Sequence, residues 1–130
     1  MNSDPITRLI KKHIAEIELI YLFGSQARKD ATPESDFDFA VRGAATLSID
    51  KRLELASGLS ALVKGDVDVL DLREASTVMQ VQVLKDGKLL YFKSALLRDE
   101  FEMYALSDYV RLNEERAGII SDFYSDKNKK

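Results

Sequence analysis

The stretch that decides the fold runs from Leu19 to Arg42. It opens with Leu19-Ile20-Tyr21-Leu22-Phe23, turns through Gly24-Ser25, and closes with Asp36-Phe37-Asp38-Phe39-Ala40-Val41-Arg42. The first five residues are an unbroken apolar run bounded by glycine, which predicts a short strand covered on both faces. Residues 36–42 alternate polar and apolar, which predicts a second strand packed from the side of Phe37, Phe39 and Val41. That packing sets the register, so Asp36 and Asp38 turn together to the other face with Cα atoms about 6.6 Å apart. Between the two strands, Ser25 to Lys29 reads as a short polar helix or turn, and Thr32-Pro33-Glu34-Ser35 as a turn cluster.

Upstream, residues 5–18 read as a helix. Asp4 is placed to cap it, Pro5 suits its first position, and Ile6, Leu9, Ile10, Ile14 and Ile17 form one stripe. His13 lies beside that stripe and reads as a half-buried helix histidine. Downstream, Gly43 to Thr46 connect to a helix capped by Ser48 and carrying Ile49, Leu53, Ala56, Leu59 and Val63, with Gly65 as its stop. Asp66 to Leu72 read as a third strand, with Asp71 at its end as a surface acid. A helix over 77–85 ends at Gly87, and Leu89-Leu90-Tyr91-Phe92 reads as a peripheral fourth strand. From Ser94 a helical pattern runs for nearly thirty residues towards the Lys-rich end Lys127-Asn128-Lys129-Lys130. Such a helix is about 45 Å long, so within a domain of this size it must break or project. Tyr91, Tyr104 and Tyr109 fall in core-like patterns. Strands alternating with helices predict an α/β or α+β fold with a helix-covered sheet.

Composition narrows the chemistry. The chain has 130 residues, 19 Lys+Arg against 22 Asp+Glu, one His, no Cys and no Trp, and 45% apolar residues. A domain of this length buries roughly two-thirds of its unfolded surface and needs no staples. Without cysteine there are no disulfides, thiolate metal sites or cysteine nucleophiles, and one imidazole is too few for an ordinary zinc centre. A net charge of −3 argues against a protein that coats nucleic acid. No apolar run approaches the roughly 20 residues that span a bilayer, and Met1-Asn2-Ser3-Asp4 opens no signal sequence. The expectation is a soluble, cytoplasmic single domain over residues 1–130 that binds no membrane.

The candidate site combines three elements. Gly24-Ser25 closes a buried strand and opens a short helix, an arrangement whose free N–H groups and hydroxyl suit phosphate oxygens. Asp36 and Asp38 are placed to converge on a divalent cation. Asp66 and Asp68 share a face of the next strand and offer a third carboxylate. Asp68 is preferred because Val67 and Val69 set it deeper in the strand, and Asp66 is the alternative.

The pattern Gly24-Ser25, ten residues, Asp36-Phe37-Asp38, followed by Asp68 in Val67-Asp68-Val69-Leu70, resembles the signature of nucleotidyltransferases related to the DNA polymerase β palm. Chain length, the segment Lys88 to Phe92 and the terminal helix resemble the minimal nucleotidyltransferase (MNT) antitoxins encoded beside HEPN-domain ribonuclease toxins. The resemblance implies a small mixed β-sheet with helices packed on one face, a polymerase β-like fold, and a long C-terminal helix over about 95–124 that docks a partner. It implies transfer of AMP from ATP to a hydroxyl, a tyrosine's, on a cognate HEPN toxin in a hetero-oligomer. Asp36, Asp38 and Asp68 would be catalytic and would hold two Mg²⁺, with Mn²⁺ as a substitute. Gly24, Ser25 and Arg28 would bind the nucleotide. The physical need for metal is plain, since ATP brings about four negative charges to three carboxylates. Two other readings stand beside this one: an antitoxin acting by occlusion alone, and an aminoglycoside-type enzyme acting on a small molecule.

Overall fold

The computed structural model describes residues 3–24 and 36–128, with side chains described as far as Gly118. Its elements in chain order are α1 (Asp4–His13), β1 (Ile17–Phe23), β2 (Phe37–Gly43), α2 (Ile49–Val63), β3 (Val67–Asp71), α3 (Thr77–Asp86), β4 (Lys88–Phe92) and α4 (Ala95–Asn128). Among the described residues the four strands form one sheet in the order β3-β2-β1-β4. β1 runs antiparallel to both β2 and β4, whereas β2 and β3 run parallel. The mixed α/β sheet and the long terminal helix are as expected.

Helices cover both faces of the sheet, not the single face that was expected. On one face Ile20, Leu22, Phe39, Val41 and Val69 meet Ile6 and Ile10 of α1 and Leu55 and Leu59 of α2. On the other, Leu19, Tyr21, Ala40 and Leu72 meet Val83 of α3 and Phe101 of α4. The reason lies in β1, whose consecutive apolar residues present greasy surface on both sides and need cover on both.

Element ends depart from expectation in small, physical ways. α1 stops at His13 because Ile14 is already extended (φ −128°, ψ 91°), and Ile17 begins β1 instead of ending the helix stripe. Ser3, not Asp4, occupies the cap position, and Asp4 lies in the first turn, where its charge suits the helix dipole. Ser48 caps α2 as expected, accepting the Lys51 N–H at 3.1 Å. At the other end of α2 the left-handed position belongs to Lys64 (φ 58°) and not to Gly65. The Ser60 hydroxyl donates to the Gly65 carbonyl at 2.6 Å and holds that turn. Ser76 and Ser94 cap α3 and α4 by accepting the N–H groups of Met79 and Leu97.

Two residues brace the sheet near its β3 edge. Asp71 is buried at 1% exposure and accepts the N–H groups of Leu47 at 2.8 Å and Arg73 at 3.0 Å. It is a structural strut, not the surface acid expected. Its position at a strand end carries no sign that the loop before α2 folds over it. Arg52 of α2 donates from Nε and Nη2 to the Val69 carbonyl at 3.2 and 2.7 Å. That contact occupies part of the free edge of β3, which would otherwise offer unpaired backbone to another strand. His13 is half-buried, and its Nδ1 lies 3.1 Å from the Leu9 carbonyl oxygen, as a helix histidine should.

α4 is a single unbroken helix of 34 residues, about 51 Å long at 1.5 Å per residue. Phe101 and Ala105 are buried against the domain, and from Leu106 to Gly118 no described side chain is buried. The helix projects. Tyr104, expected in a core-like pattern, is 62% exposed.

Candidate active site

The sheet brings Gly24, Asp38 and Asp68 into a row at one end. Gly24 follows the last residue of β1, and Phe23 stands opposite Asp38 in the β1–β2 register. Asp38 pairs with Asp68 in the β2–β3 register. Adjacent strands lie about 4.8 Å apart, and paired residues point to the same side, so these two carboxylates are neighbours. Asp36 lies one residue before β2, exposed, and the Phe37 N–H donates to the Asp66 carbonyl at 2.9 Å. That bond locks the start of β2 to the start of β3. Asp66 is thereby used through its backbone, at the lip of the row, while Asp68 stands beside Asp38.

Gly24 has φ +76°, where residues with a side chain are strained, and a Cβ there would lie 2.5 Å from Asp38 Oδ2. The glycine therefore does two things. It permits the turn out of β1, and it leaves space directly over the Asp38 carboxylate.

The electrostatics agree with the geometry. Burial pushes the Asp38 carboxyl above its ordinary value, and the nearby charges of Asp68 and then Asp36 push it further. Among the described residues no Lys or Arg stands in ion-pair range of Asp36, Asp38 or Asp68. Nor do three acids among them close into one tight ligand cluster; Asp38 is the member that feels both others. Hard, anionic oxygen donors with no imidazole or thiolate fit a magnesium-type cation, and the open space over Gly24 fits a phosphate group. Ser25 and Arg28, also expected to bind nucleotide, lie outside the described residues, as do the short helix and turn expected over 25–35.

A cavity of about 290 Å³ lies at the outer side of β3, lined by Asp68 and Val69 together with Ile49, Arg52, Leu53 and Ala56 of α2. Arg52 and this cavity were not singled out from the sequence. The exposure of Ile49 and Leu53 at helical spacing in an otherwise core-facing pattern is the signal that points to them.

Known proteins are similar to this chain in sequence and fold. Residues 4–96 match the family described as polymerase beta, nucleotidyltransferase. The chain is 41% identical over 123 residues to protein adenylyltransferase MntA of Shewanella oneidensis, across 94% of this chain and 87% of that one. A chain in a crystal structure of a toxin–antitoxin with AMP-PNP superposes with a TM-score of 0.85 at 39% identity, covering 95% of this chain and 99% of that one. A chain in the structure of tri-AMPylated Shewanella oneidensis HEPN toxin in complex with MNT antitoxin superposes at 0.77 with 38% identity, covering 94% and 95%. Fold, strand-borne carboxylates and end-to-end similarity together place this chain in the polymerase β nucleotidyltransferase family, among the MntA-type minimal nucleotidyltransferases.

Proposed function

We propose that this chain is a protein adenylyltransferase that moves AMP from ATP to a tyrosine hydroxyl of a HEPN-domain toxin and neutralises the toxin by doing so. The observation that carries the reading is Asp38, set between the bare backbone of Gly24 and the in-register carboxylate of Asp68. The named activity of the 41% identical relative and the AMPylated HEPN toxin seen with an MNT antitoxin support it.

In this reading the triphosphate lies over Gly24, where no side chain blocks its approach, with Ser25 and Arg28 gripping its outer phosphates. Asp36 and Asp38 hold Mg²⁺, which when bound neutralises charge on the reacting phosphate and on the departing pyrophosphate. The acceptor oxygen attacks the α-phosphorus, a new P–O bond forms, and the bond from the α-phosphorus to the bridging oxygen breaks to release pyrophosphate. Asp68, exposed and on the side of Asp38 away from Gly24, takes the proton that the acceptor hydroxyl loses. Beyond Ala105, α4 supplies the docking element: Leu106 and Val110 are exposed apolar side chains on a stretch of helix where no described side chain is buried.

The test is incubation with a cognate HEPN-domain toxin, ATP and Mg²⁺, read by intact mass. Addition of AMP units to the toxin is expected, with none for Asp38→Ala. Full neutralisation by Asp38→Ala without any mass change would replace transfer with occlusion.

A further inference from the structure

α4 carries two apolar faces. Phe101 and Ala105 are buried against the domain on one side of the helix. Leu96, Met103, Leu106 and Val110 are 67%, 54%, 49% and 56% exposed. At about 100° per residue these four fall on the opposite side, within an arc of about 80°. Their spacing of seven, three and four residues is that of a helix–helix seam, and Ala117 and Ile120 continue it in the sequence. One apolar stripe is enough to pack a helix on its own domain. A second row of large side chains on the far side adds nothing there, and such rows mark surface that another protein covers. The row starts at Leu96, in the part of α4 that packs on the sheet. The covering body therefore lies along the helix from its root, and not against its far half alone.

Charge says what covers it. Between Ala95 and Gly118 the same sector of α4 holds Asp99, Glu100, Glu102 and Glu114 and no Lys or Arg. Asp99 is answered by Arg98 at 3.0 Å, whereas among the described residues the three glutamates have no ion-pair partner. We infer that this stripe docks an amphipathic helix of the HEPN-domain partner, one whose apolar residues are flanked by Lys and Arg; the inference rests on the partner proposed above. A second copy of α4 would set acids against acids with no cation in the sector to offset them. An anionic membrane surface attracts helices flanked by Lys and Arg and repels this one. Where α4 meets α3, Glu102 and Leu106 share a cavity of about 290 Å³ with Val81, Leu84 and Lys85, which gives one apolar side chain of the incoming helix a seat.

The experiment is calorimetry of the full chain against a cognate HEPN-domain toxin at low and high salt, with sedimentation of the chain alone. Leu96→Ser and Met103→Ser should each weaken binding at least tenfold. Tyr104→Ser, which changes an exposed side chain off the stripe, should stay within twofold. Glu100→Lys combined with Glu114→Lys should weaken binding at least tenfold and flatten its salt dependence. Unchanged affinity in both Leu96→Ser and Met103→Ser, or an equal loss in Tyr104→Ser, overturns the stripe as the docking face. Tighter binding by the double lysine variant overturns a basic partner helix, and self-association that Val110→Glu abolishes assigns the stripe to a second copy instead. Failure of the unaltered chain to bind the toxin is a separate outcome that overturns the HEPN partner and, with it, the identity of the occupant.

Discussion

Burial and two neighbouring acids hold the Asp38 proton to a higher pH than in a free aspartate. With the folded-state value above the unfolded one, the folded chain binds more protons between them. Stability therefore falls as pH rises through that interval and stays reduced above it. Asp38→Asn should raise stability at pH 7 by about half a kcal/mol, a scale suited to a partly solvated charge, and the gain should vanish near pH 3, where both chains are neutral at this position. Urea midpoints at the two pH values check this, and added Mg²⁺ should stabilise the parent and not the variant. Tyr21 shows the same sign in a different group. Desolvation by burial, and then the charge of Glu102, push its phenol up to about 12, against an opposing effect of Arg98. Among the described residues its hydroxyl is buried without a hydrogen-bond partner, and its ring is 6.2 Å from that of Phe101. Tyr21→Phe should gain about 1 kcal/mol at pH 7 by removing that unpaired group. It should also flatten the loss of stability that the parent shows from about pH 10 upward, where its unfolded chain ionises first. A loss of stability at pH 7 in thermal melts would show that the hydroxyl is satisfied in solution.

Among the elements, β3 is the one whose placement makes the site, and its supports were only partly legible beforehand. The alternation at 36–42 and 66–72 was enough to place Asp38 and Asp68 on strands, because side-chain period is local physics. That β3 lies beside β2 in parallel, with Asp38 against Asp68, depends on the α2 crossover, and no local signal states which strands pair. Asp71 and Arg52 fasten that crossover, the first to the loop before α2 and the second to the Val69 carbonyl. Asp71→Ala would leave the Leu47 and Arg73 N–H groups without their carboxylate and should cost about 2–3 kcal/mol in chemical denaturation. Transfer activity should fall with the folded fraction and not independently of it, since Asp71 faces away from Asp68.

For the whole molecule, the buried side chains of the sheet and its two helical layers end at Ala105, and from Leu106 to Gly118 no described side chain of α4 is buried. A chain ending after Leu112 should therefore keep its unfolding free energy within about 0.5 kcal/mol of the parent, the usual bound for surface changes, while losing capture of the HEPN partner. A large loss of midpoint would show that the far half of the helix packs on its own domain in solution. The sequence by itself determined the strands and helices, the glycine and the three acids, because each is written in spacing over a few residues. Only the tertiary structure decided that helices cover both faces, that Asp71 is a strut, that Asp68 and not Asp66 stands beside Asp38, and that a cavity opens at β3. Those outcomes depend on which distant surfaces meet, and burial, unlike periodicity, is a property of the assembled chain.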